Sequence, residues 1–111
     1  MFDPQVDALT DLQYRILLAL ADGQVRSSLS IWNTVQTDSK AHLKVASATI
    51  NRSLASLVKF ELVERLLDDS PVTSRQRPNY RLTRAGYDSL HSEMIRCRDL
   101  AVIIGARLAE R

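Results

Sequence analysis

At 111 residues, with 45% hydrophobic and 25% charged residues, the chain has the length of one small domain and the balance of a globular one. A net charge of only +2 excludes a uniformly basic, polyanion-coating body, and the single cysteine, Cys97, excludes an intramolecular disulfide. No apolar run approaches a membrane span, and the opening MFDPQVDALTD has neither the basic start nor the apolar stretch of a secretory signal, so a cytoplasmic location is expected.

In chain order, Thr10 with Gln13 three residues on has the pattern of a capping box and predicts a helix from there to Gly23. Leu12, Ile16, Leu17, Ala19 and Leu20 recur at helical spacing within it, and Gly23 supplies the left-handed residue that stops a helix. Ser27 or Ser28 can cap a second, shorter helix with Leu29, Ile31, Trp32 and Val35 as its apolar positions. Residues 37–40 read as a loop.

A third helix is expected from Ser47 to about Phe60, with Ile50, Leu54, Leu57 and Val58 forming one buried stripe. Its opposite side carries Thr49, Arg52, Ser53 and Ser56, with Asn51 at the edge. Short polar side chains permit close approach to a groove. An arginine can donate two hydrogen bonds to a guanine edge, and an asparagine can pair with adenine.

After Phe60 the period changes to that of strands, at residues 62–67 and 79–82. The polar stretch 68–78 between them, with Pro71 and Pro78, reads as a long hairpin loop. Arg75, Arg77, Arg81 and Arg84 all fall between Asp69 and Asp88, with no acidic residue among them. Such a hairpin is suited to lie along phosphates or enter a minor groove, with Arg75 and Arg77 at its tip and Arg81 on its returning strand. Lys44, with Lys40 and His42, is placed to reach the flanking backbone.

Thr83 caps a final helix. Along it Tyr87, Leu90, Met94, Cys97, Ala101, Ile104 and Leu108 are spaced alternately three and four residues apart, the rule of a coiled-coil seam. A stripe of roughly 30 Å is longer than the face of so small a core, which points to a homodimer with the first helix packed into the interface. Two-fold symmetry then matches a pseudo-palindromic duplex.

The element order is that of a mainly α protein with a two-stranded β-hairpin wing: a winged helix-turn-helix with a C-terminal dimerisation helix. Residues 1–9 form an N-terminal arm, 10–83 the DNA-binding domain and 84–111 the dimerisation helix. No phosphate loop, zinc-ligand spacing or nucleophile motif occurs, so neither an enzyme nor a metal or other cofactor is expected.

The segments LTDLQYRILLALADG, SATINRSLASLVKFELVER and RPNYRLTRAGYDSL together resemble the PadR-like transcriptional regulators over nearly the whole chain. The last is the most specific, since it looks like the family's wing-to-helix junction. The resemblance implies a homodimeric winged-helix repressor, often released from DNA by a small molecule. Two positions depart from the family pattern: Asn51 stands where a tyrosine is common, and Glu61 where a glycine usually ends the recognition helix. The expected partners are double-stranded DNA, a second copy of the chain and a small-molecule effector, for which Trp32 and Met94 are candidate lining residues; no membrane is expected. The alternative is a winged-helix module that binds another protein and not DNA.

Overall fold

The computed structural model describes residues 9–40, 44–67 and 78–110. Its elements run α1 (Asp11–Ala19), β1 (Arg26–Ser27), α2 (Ser28–Asp38), α3 (Ser47–Lys59), β2 (Val63–Leu67), β3 (Pro78–Leu82) and α4 (Arg84–Ala109).

The capping box opens α1 as its sequence requires. Thr10 Oγ1 accepts from the Gln13 backbone N–H at 3.1 Å, and Gln13 Oε1 accepts from the Thr10 N–H at 2.8 Å. The α-helix stops at Ala19, four residues before the expected Gly23. Leu20 and Ala21 tighten the last turn with bonds to the carbonyls three residues back, and the chain then turns at Gly23, which has φ +78°.

The structure adds a strand that the sequence does not announce. Arg26 and Ser27 pair antiparallel with Tyr80 and Asn79, giving a three-stranded sheet in the order β1-β3-β2 in place of a bare two-stranded hairpin. Two residues are too few to show an alternating pattern. Ser27 ends the strand and at once caps α2, accepting from the Ser30 N–H at 3.2 Å. Residues 37 and 38, expected in a loop, are the last of α2.

The three N-terminal helices and one face of the sheet close on a single core. It holds Ile16, Leu17 and Leu20 from the α1 segment, Ile31 and Val35 from α2, Ile50, Leu54 and Leu57 from α3, and Val63, Tyr80 and Leu82 from the strands. Burying each such side chain contributes about 1.5–3 kcal/mol against chain entropy. Ile50, Leu54 and Leu57 are the stripe read from the sequence, and the half-buried Val58 packs at its edge.

One junction ties α3, the hairpin and α4 together. The Leu62 N–H donates to Leu57 O and the Glu61 N–H to Val58 O, both at 3.0 Å, the paired bonds of a Schellman end. This geometry needs a left-handed residue, and Glu61 takes it with φ +63°. Across the junction the Thr83 N–H donates to Leu62 O, and Thr83 Oγ1 donates to Glu61 O at 2.7 Å while accepting from the Gly86 N–H. Gly86 itself lies against this turn: a Cβ there would stand 2.2 Å from Leu62 O and 2.5 Å from Leu82 Cδ1.

Two substitutions at the junction have opposite expected effects. Gly86→Ala forces α4 off the turn and costs about 2–3 kcal/mol, read as a lower midpoint in chemical denaturation. Glu61→Gly removes the left-handed penalty, partly offset by glycine's added freedom when unfolded, and raises stability by about 0.5–1 kcal/mol.

Candidate nucleic-acid interface

The stripe that anchors α3 determines which residues face outward. Asn51, Arg52, Ala55 and Lys59 are exposed on the side away from Ile50, Leu54 and Leu57, with Ala48 one turn earlier. Asn51, one residue past the buried Ile50, is exposed at the edge of this face, as expected. Thr49, Ser53 and Ser56, expected at the centre of this face, are only half exposed and flank it. Thr49 nevertheless serves the face, because its Oγ1 accepts from Arg52 Nη2 at 3.4 Å and gives the guanidinium a preferred position. Lys59, Ala48 and Ala55 were not singled out from the sequence. Their position seven or fewer residues from Arg52, on the side opposite the buried stripe, is the signal that places them there.

The approach to α3 is held by Trp32. Its indole N–H donates to Val45 O at 2.6 Å, fixing the segment that enters the helix, and its ring is partly buried against the core. The one polar group of Trp32 is thus already used in the fold. Ala46 precedes α3 without any side-chain cap, so the first N–H groups of the helix lack a side-chain acceptor. Lys44 is exposed beside this end, and Lys40, with φ +55°, is exposed just past α2.

On the hairpin, Val63, Tyr80 and Leu82 turn into the core, so Glu64 and Arg81 lie on the other face. Arg81 is not an isolated cation: its Nη2 donates to Glu64 Oε2 at 2.9 Å, with both side chains a little under half exposed. Arg65, on β2, is a further exposed cation. Arg75, Arg77 and His42 lie outside the described residues.

Helix α4 starts against the core and leaves it. Gly86 is buried and Leu90 half-buried, but every residue from Arg96 to Glu110 is exposed. Of the seven seam positions, only Leu90 packs on the chain's own core; Tyr87, Met94, Cys97, Ala101, Ile104 and Leu108 are open, as is Leu18 on α1. Near the middle of α4 the Glu93 carboxylate collects a bidentate Arg96 guanidinium, a hydrogen bond from Tyr14 of α1 and the Cys97 thiol at 3.6 Å. The Arg96 hydrogen bonds hold the Glu93 carboxyl below its usual range. A groove of about 720 Å3 runs alongside between α1 and α4, lined by Leu18, Tyr87, Leu90 and Met94 among others. Among the described residues no cluster of three or more acidic, histidine or cysteine side chains could hold a metal ion, and no helix is long and apolar enough to cross a membrane.

The sequence matches no protein-family model and no curated protein. The fold has many counterparts among solved structures. A PadR-like transcription factor from Bacteroides fragilis superposes with a TM-score of 0.72 at 23% identity, over 86% of this chain and 87% of that one. H. salinarum RosR does so with a TM-score of 0.63 at 23% identity, over 94% and 97%. Bacillus subtilis PadR in complex with operator DNA matches with a TM-score of 0.67 at 21% identity, over 77% of this chain and 47% of that longer one. At these identities the likeness defines the fold: a winged helix of the PadR-like type, extended by one long C-terminal helix.

Replacing Trp32 by Phe removes the indole donor and leaves Val45 O without it. A loss of about 1 kcal/mol is expected, with faster amide exchange in the first turn of α3 than elsewhere in the core.

Proposed function

We propose that the chain is a homodimeric, DNA-binding transcriptional regulator acting as a repressor, with α3 in the major groove and the hairpin on the phosphate backbone or in the minor groove. The observation that carries the reading is the outward face of α3. It presents Arg52 and Lys59 with Asn51 between small alanines, on a helix whose other side is locked into the core. No acidic residue occurs from Ser47 to Lys59. Arg52, positioned by Thr49, is suited to a guanine edge and Asn51 to an adenine, while Ala48 and Ala55 keep the approach close. Lys44 and the uncapped N–H groups of α3 are suited to phosphate, as are Arg75 and Arg77. The neighbours of this fold are transcriptional regulators, one of them seen on operator DNA, which supports carrying that use to this chain.

The second copy is called for by α4. A helix of 26 residues rises about 39 Å, and its exposed last turns carry Leu100, Val102, Ile103, Ile104 and Leu108. The stretch from Arg96 onward has no contact with the core to support it, and an exposed apolar stripe of this kind marks a surface that is covered by a partner. A second chain, with its own α4 and Leu18, supplies a matching surface by symmetry. The groove between α1 and α4 adjoins this interface, so a small molecule seated there would couple to the spacing of the two recognition helices.

Binding to duplex DNA tests the reading. Affinity is expected to fall steeply with salt, with a slope set by about four to eight phosphate contacts; salt-independent binding or none would contradict it. Arg52→Ala is expected to lower affinity for a selected site by about 10- to 100-fold while affecting random DNA much less. Ile104→Asp places a charge in the apolar stripe, and light scattering should then return the mass of a single chain where the parent gives two.

A further inference from the structure

Glu64 and Arg81 meet because the strands pair, not because the sequence sets them together. They are directly opposed residues of β2 and β3, seventeen positions apart, and their side chains bond at 2.9 Å on the hairpin face that does not enter the core. From Ser70 through β3 to Tyr87 the sequence carries no acid of its own. Strand pairing thus brings a carboxylate onto Arg81, a cation that binding along phosphates would use. Stability supplies little reason for the contact, since with side chains 45% and 44% exposed such a pair contributes little to folding.

We propose that Glu64 is an affinity-limiting residue of the DNA interface: it holds the Arg81 guanidinium in a contact that competes with phosphate and sets its own charge against the backbone. The inference rests on the DNA-binding reading above. Non-specific binding is almost wholly electrostatic, so a carboxylate within about 10 Å of phosphates weakens it at moderate salt. The base contacts of α3 lie on a different element and are left in place. Glu64 thereby lowers affinity for random DNA more than it lowers discrimination among sequences, and that ratio decides where a regulator resides on a genome.

The test compares the full chain with Glu64→Gln, Arg81→Ala and the double variant on random duplex DNA across a range of salt. Thermal melts first establish that all four are folded. Glu64→Gln is expected to bind about three- to ten-fold more tightly at low salt. Its plot of log affinity against log salt should be steeper by about 0.9, the signature of one more phosphate contact. In the Arg81→Ala background the same change should steepen the slope by clearly less, since only the direct repulsion between Glu64 and phosphate is then removed. If Glu64→Gln matches a parent that itself binds with a steep slope, the proposal is wrong and the DNA reading stands. If the slope steepens equally without Arg81, competition for that guanidinium is ruled out. A parent that ignores DNA at low salt removes the DNA reading, and this inference with it.

Discussion

The arrangement of the molecule depends on a few backbone bonds around Leu62. The last carbonyls of α3 are closed by the Glu61 and Leu62 N–H groups, the Leu62 carbonyl accepts from Thr83, and the Thr83 hydroxyl bridges Glu61 O and the Gly86 N–H. Three elements that would otherwise be joined only by loops share one set of hydrogen bonds. Helix α3, the hairpin and the long C-terminal helix are thereby held at fixed angles. The cost is a left-handed Glu61 and a position, Gly86, where no side chain fits.

From that junction the two working surfaces follow. Because Ile50, Leu54 and Leu57 are pinned in the core, Asn51, Arg52, Ala55 and Lys59 have no choice but to face out. Because α4 begins at the same junction and runs for 26 residues, its second half overshoots the core and carries its apolar residues into solvent. The chain measures 63 Å along its longest axis against 22 Å along its shortest. One surface is polar and cationic and the other is a long apolar stripe; in the reading proposed here the first meets DNA and the second meets another copy.

Much of this was legible in the sequence where physics is local. A capping box needs only Thr10 and Gln13, Thr83 announces α4, and the capping geometry agrees at both; the α3 stripe needs only spacing, and it is buried as read. Glu61 was visible as an oddity, a non-glycine where a helix must turn, and the structure shows it carrying the strain. What the sequence hid depends on contacts between distant residues. Strand β1 exists only because Tyr80 and Asn79 offer it partners. The Glu64–Arg81 pair depends on hairpin register, so Arg81 read in sequence looked like a free cation. The Trp32 N–H is tied to Val45 O, a contact across thirteen residues that no local pattern announces. On α3 the spacing placed Thr49, Ser53 and Ser56 opposite the stripe, but how far each is covered, only half exposed, is set by how the stripe seats in the core.

The most direct measurement is selection of bound sequences by the full chain from a pool of random duplexes. A dimer with α3 in the major groove should enrich an inverted repeat whose half-sites are centred about one helical turn, roughly 10 base pairs, apart. Either no enrichment or a solitary half-site with no symmetric mate would contradict the account.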